Sequence, residues 1–170
     1  ILASHAARHP EGPYDGPVIY LGTLSKSLVP GLRVGWVVAE AGMIATLALA
    51  KQSTDLSSSM LTQAIALDLI ESGFETRHVP PMLAAYRERR DALCAALASH
   101  LSDWFTWEIP PGGMFVWATA REPGFDTNAL YAHALAEKVA FVPSSVFDPE
   151  GALTNAMRLN FTRSSPERLV

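Results

Sequence analysis

Between Gly22 and Arg33 the chain reads Gly-Thr-Leu-Ser-Lys-Ser-Leu-Val-Pro-Gly-Leu-Arg. One lysine, Lys26, thus lies among the hydroxyls of Thr23, Ser25 and Ser27, with Arg33 seven residues on. A lysine at the end of a buried strand is partly desolvated, which disfavours the ammonium and frees the amine as a nucleophile. Hydroxyls beside it and a nearby guanidinium are groups that hold a phosphate dianion. Together they describe a site that binds a phosphorylated aldehyde and condenses with it. The same residues also describe a surface loop with a solvated lysine, and residue types alone favour that plainer reading.

Other chemistry-bearing residues point to less. His5, His9, His78, His100 and His133 show no metal-ligand spacing and read as loop or helix-surface residues, so no metal is expected. Cys94 falls on a helical stripe and reads as small core filling. Trp104, Trp107 and Trp117 read as packing residues, and the charged stretch Arg87 to Asp91 as solvated helix surface. Thr23-Leu24-Ser25-Lys26 has the spacing of a Ser-x-x-Lys motif, but Thr stands at the nucleophile position and the companion motifs are missing. Gly22 to Ser27 is no P-loop, because the second glycine before the lysine is absent.

The elements that must position Lys26 follow from the pattern around it. Val18-Ile19-Tyr20-Leu21 reads as a short buried strand, and Val34-Gly35-Trp36-Val37-Val38-Ala39 as its neighbour across a functional loop. Met43, Ile44, Leu47, Ala48 and Lys51 fit one helical stripe. Leu61, Ala64, Ile65, Leu67, Leu69 and Ile70 form the apolar face of a second helix, stopped by Gly73. A longer helix is predicted from Pro81 to Leu101, with Met82, Leu83, Tyr86, Leu93, Leu97 and Leu101 as its apolar stripe. Phe105–Ile109 and Met114–Ala118 read as strands joined at Pro110-Pro111-Gly112-Gly113 into a hairpin. A helix from Asn128 to Lys138 and strands at Val139–Val142 and Met157–Phe161 complete an α/β fold that is α+β in its C-terminal part.

Composition bounds the setting. The 170 residues are 49% hydrophobic and 18% charged with a net charge of -4, ordinary for a globular chain. That mild acidity gives no reason to expect nucleic acid bound to this segment. No apolar run is long enough to span a membrane, and the start lacks the features of a signal peptide. The single cysteine excludes an internal disulfide and suits the cytoplasm. The chain lacks an initiator Met, and Ser165-Pro166 reads as a helix start with no helix after it, so a piece of a longer protein is expected.

The segment Val18 to Trp36 closely resembles the lysine segment of class I/II aminotransferases, within them most the 2-aminoadipate and kynurenine aminotransferase branch. Pro110-Pro111-Gly112-Gly113-Met114-Phe115-Val116-Trp117 is similar to the family's small-domain segment facing the substrate cleft. Val142-Pro143-Ser144-Ser145-Val146-Phe147 resembles a motif in which glycine usually follows the proline; Ser144 stands there instead, so the local backbone is expected to differ. Met157-Arg158-Leu159-Asn160-Phe161 resembles the strand whose arginine grips the substrate carboxylate. The resemblance covers about residues 10–168.

That resemblance implies the fold type I of pyridoxal-phosphate-dependent transferases. Residues 1–78 would be the C-terminal portion of the large domain, and 79–170 the small domain with its connecting helix. It further implies pyridoxal 5'-phosphate as cofactor, Lys26 as its Schiff-base lysine, Thr23, Ser25 and Arg33 as phosphate ligands, and Arg158 as the carboxylate anchor. The implied activity is transamination between an amino acid and a 2-oxo acid, in a homodimer. The family's cofactor-ring contacts belong to an N-terminal half outside this sequence, so this chain alone is expected to bind cofactor poorly and not to turn over. Two alternatives stay open: an aminotransferase-like sensor domain of a MocR-type transcription regulator, and another reaction on the same fold, such as a decarboxylase, lyase or synthase.

Overall fold

Apolar runs on either side of the lysine loop form two short strands in the computed structural model, which describes residues 14–169. Strand β1 (Tyr20–Thr23) pairs antiparallel with β2 (Gly35–Val38), in the register Tyr20 to Val38 and Thr23 to Gly35. Gly22 lies opposite Trp36, whose indole covers it so closely that a Cβ on Gly22 would fall 2.2 Å from the ring. Pairing of the two runs is as predicted, but their burial is not. Ile19, Tyr20, Leu21, Trp36, Val37 and Val38 are all exposed, because a two-stranded ribbon offers no second layer to cover it among the described residues.

Three helices follow. Glu40 caps α1 (Ala41–Thr54), its carboxylate accepting from the Gly42 and Met43 amides. Ser59 caps α2 (Met60–Glu71), and Gly73 turns the chain at φ +68° before α3 (Phe74–His100). Helix α1 is apolar nearly all round and buries no residue, so the stripe of Met43, Ile44 and Leu47 finds no partner among the described residues. On α2 the buried residue is Ala66, which packs with Leu24 and Leu32 of the lysine loop, while Leu61, Ile65, Leu67 and Ile70 stay exposed. Helix α3 starts seven residues before the expected Pro81. It carries Pro80 and Pro81 inside it, at the cost of two backbone donors in its second turn. Among the described residues no helix is long and apolar enough to cross a membrane.

The chain divides into two compact units, Ile1–Val79 and Pro80–Val170. The second unit is built on an antiparallel sheet in the order β3 (Phe105–Trp107), β4 (Phe115–Ala120), β6 (Ala156–Asn160), β5 (Val142–Pro143). Helix α4 (Thr127–Ala136), capped by Asp126, precedes β5. Of the strand expected at Val139–Val142 only Val142 is in β5, which runs on into Pro143. Period-two alternation decides the rest. Val116, Ala118 and Ala120 of β4 face the core, where Leu93, Cys94 and Leu97 of α3 pack on Val116 and Phe161. Tyr131 and Leu130 of α4 pack in the neighbouring cluster around Phe105, Ala118, Phe141 and Met157. Cys94 is core filling, and burial pushes its thiol pKa up. Phe115, Trp117 and Thr119 lie on the opposite face of β4, outside both core clusters.

Candidate functional site

The lysine loop hangs between two buried leucines. Leu24 continues the ladder beyond β1 by donating its amide to the Val34 carbonyl at 3.1 Å, and Leu32 closes the short helical turn Pro30–Leu32. Thr23 ends β1 with its hydroxyl 3.0 Å from Ser25 Oγ and 3.3 Å from the Val34 carbonyl, and it accepts the Ser25 amide at 3.1 Å. Arg33 caps the turn in the left-handed region, at φ 53° and ψ 36°. A non-glycine side chain there costs about 1 kcal/mol, and such strain gathers at binding sites.

These groups have donors to spare. Among the described residues the Ser25 hydroxyl donates no hydrogen bond, and the Arg33 guanidinium makes only a 3.5 Å contact to the Pro30 carbonyl. Lys26 has no hydrogen-bond or ion-pair partner there either. Two adjacent hydroxyls, an arginine and an unpaired amine make a donor set suited to a phosphate dianion and a carbonyl carbon. Thr23 and Ser25 are brought together directly, whereas the Arg33 guanidinium contacts the Pro30 carbonyl and neither hydroxyl. Lys26 is exposed, so the described residues do not supply the desolvation expected of a lysine on a buried strand.

A second constellation forms in the Pro80–Val170 unit. Met157 and Leu159 on β6 pair with Ala118 and Val116 and turn into the core, which leaves Arg158, opposite Trp117, on the other face. There its guanidinium carbon lies 4.0 Å from the centroid of Phe115 and 4.5 Å from that of Phe147. Phe147 in turn meets Trp117 edge-on at 5.6 Å. Arg158 Nε is buried with no hydrogen-bond partner among the described residues. A guanidinium between two rings is held in place and desolvated, yet its donors stay unspent. That arrangement suits a carboxylate delivered from outside the chain.

Several residues take up positions that the sequence does not disclose. Phe115 and Phe147 occur in the segments compared above, but their contact with Arg158 joins residues far apart in sequence. Trp104 and Trp117 are exposed, Trp117 meeting Phe147 edge-on, and of the three only Trp107 lies against the core. Arg89 and Arg90 are not simply solvated. Arg89 donates to the Thr162 carbonyl, and Arg90 reaches the Pro110 carbonyl at 3.0 Å and Asp91 at 2.7 Å. Long arginine stems lie along apolar surface and let their heads bond distant carbonyls. Ser144 is fully buried and keeps a negative φ, so its position does not demand glycine. His78 stacks on Phe74 at the start of α3, while His5 and His9 lie outside the described residues.

Residues 3–169 match the family model described as aminotransferase class I and II. Aromatic-amino-acid aminotransferase 1 of Thermococcus litoralis is 44% identical over 91% of this chain and 37% of its own length. YdfD of Bacillus subtilis, described as an uncharacterized HTH-type transcriptional regulator, is 37% identical over 91% of this chain and 32% of its own. Among solved structures, Pyrococcus horikoshii kynurenine aminotransferase in complex with PMP superposes with a TM-score of 0.85 at 39% identity. That match covers 91% of this chain and 38% of the solved one. The chain therefore spans about a third of the length of the relatives it matches.

Proposed function

This chain belongs to the aminotransferase class I and II family, and on that premise we propose that the whole protein transfers an amino group between an amino acid and a 2-oxo acid, with pyridoxal 5'-phosphate as cofactor. The observation that carries the reading is the guanidinium of Arg158, set between Phe115 and Phe147 with Nε buried and unpartnered. It is an arginine prepared for a carboxylate that the chain itself does not supply.

In this reading Ser25 would donate its hydroxyl hydrogen to the cofactor phosphate, Thr23 would turn its own there from Ser25 and the Val34 carbonyl, and Arg33 would supply its charge. Lys26 would be the residue that holds the cofactor through its amine. When bound, the cofactor supplies an electron sink for the bonds at the substrate α-carbon. The Lys26 amine would take the proton from that α-carbon and deliver one to the cofactor carbon that bore the aldehyde, acting as base and then as acid. Arg158 pairs bidentately with the α-carboxylate and fixes which bond at the α-carbon is presented. The large-domain portion would end near residue 78 and the small domain would follow it. Enclosure of Lys26 from water is assigned to the larger part of the relatives' length that this chain does not span. A homodimer and a cytoplasmic setting are proposed with it, the first from family resemblance and the second from a single unpaired cysteine.

Incubation of the whole protein, loaded with pyridoxal phosphate, with single amino acids tests the activity. An aminotransferase converts the bound cofactor to pyridoxamine phosphate without any second substrate. Release of carbon dioxide, or a persistent unconverted cofactor with every amino acid, would assign a different reaction. The likeness to YdfD supports a second reading, a cofactor-sensing domain joined to a DNA-binding one. A winged helix-turn-helix upstream of this segment would decide for it.

A further inference from the structure

Outside the two constellations, the buried polar side chains of the described residues are two hydroxyls, Thr127 and Ser144, both fully inaccessible to solvent. They sit on different elements, Thr127 at the first turn of α4 and Ser144 at the start of the helical turn Ser144–Phe147. Both are spent on the same short segment. Ser144 Oγ donates to the Leu153 carbonyl at 2.7 Å and accepts the Ala156 amide at 3.1 Å. The Thr127 hydroxyl, with one hydrogen to give, has the Thr154 carbonyl at 2.7 Å and the Ala156 carbonyl at 2.8 Å. The Thr127 amide also donates to the Thr154 carbonyl, at 2.9 Å.

Residues 153–156 are the lead-in to β6, and Arg158 stands two residues beyond Ala156. Connecting segments of this kind ordinarily bond to water and move. This one is held from two sides by buried side chains, and Asp148 and Ala120 bond it further: Leu153 donates to Asp148 at 2.8 Å, and Asn155 accepts from Ala120 at 2.7 Å. Ser144 has a second effect, because the turn it opens ends at Phe147, one of the two rings against the Arg158 guanidinium. One hydroxyl therefore ties the segment bearing the arginine to the segment bearing its aromatic wall.

We infer that Ser144 and Thr127 are positioning residues for Arg158, fixing the depth and direction at which its guanidinium meets the substrate carboxylate. The inference rests on the reading of Arg158 as carboxylate anchor. The carboxylate pair is already made in the bound ground state, so loss of one tether should show in substrate binding before it shows in the chemical step.

The test uses the whole protein in four variants, Ser144→Ala, Thr127→Val, Thr127→Ser and Arg158→Met. KM and kcat are measured with the best amino acid, together with the dissociation constant of its 2-methyl derivative, which binds but has no α-hydrogen to lose. Ser144→Ala and Thr127→Val are expected to raise KM and the dissociation constant by about five- to tenfold with kcat held within about twofold. Thr127→Ser, which keeps the hydroxyl, should return both to near the parent values. If Arg158→Met raises KM while Ser144→Ala and Thr127→Val leave it unchanged, or lower kcat instead, the positioning role is overturned and the anchor stands. An unchanged KM in Arg158→Met overturns the anchor and the positioning role together.

Discussion

The guanidinium carbon of Arg158 lies 4.0 Å from the centre of the Phe115 ring, while Arg158 Nε is buried without a hydrogen-bond partner among the described residues. An arginine desolvated by rings and left with unspent donors loses stability in the free protein that a carboxylate ligand can return on binding. Sequence alternation alone puts it there, since its neighbours Met157 and Leu159 are drawn into the core.

Arg158→Lys keeps the charge but loses the planar fork and the stacking. In the whole protein kcat/KM for the amino acid should fall by roughly thirtyfold or more, the equivalent of about 2 kcal/mol, with most of the change in KM. Steady-state kinetics at several substrate concentrations measure it. A loss confined to kcat would argue against a carboxylate contact already made in the ground state.

Arg33→Gly separates backbone strain from ligand binding. Glycine adopts the φ 53° conformation freely, so thermal stability should hold or rise by up to about 1 kcal/mol. Removal of the guanidinium should at the same time weaken pyridoxal phosphate binding about tenfold or more, as befits a charge-assisted hydrogen bond. Titration of the whole protein with cofactor beside a melting curve shows both. Unchanged affinity would remove Arg33 from the phosphate site.

Acid should loosen the approach to β6. The amides of Leu153 and then Glu150 hold the Asp148 carboxyl below its ordinary pKa of 3.8. A carboxyl lowered in the folded state contributes stability that is fully present above the unfolded value and is lost as pH falls through the folded one. Asp148→Ala should therefore lower the melting temperature at pH 6, and the difference from the parent should close as pH drops below 3.8. A difference that stays constant down to pH 2 would mean that packing, not charge, is what Asp148 contributes.

Local patterns in the sequence expose much of this. The ribbon flanking Lys26, the turn at Gly73 and the Phe105 to Ala120 hairpin all follow from short-range rules. Burial was harder to read. The exposed stripe of α1 and the exposed β1 are apolar without being core, because periodicity marks a face fit for burial and does not say what covers it. On α2 the residue buried against Leu24 and Leu32 is the small Ala66, with Leu69 half-buried beside it, since small size lets the lysine loop come close. The prolines at 80 and 81 suggest a helix start, whereas α3 already exists by Phe74 and tolerates both. The hydroxyls of Thr127 and Ser144 could not be singled out, because their bonds reach segments up to 29 residues away.

Covalent trapping bears most directly on the claim that Lys26 is the cofactor lysine. The whole protein is equilibrated with pyridoxal phosphate, reduced with borohydride, digested and mapped by mass. A pyridoxyl group on the peptide containing Thr23, Ser25 and Lys26, located at Lys26 and lost in Lys26→Ala, is the expected result. Stoichiometric labelling at another lysine, with Lys26 unmodified, would contradict it.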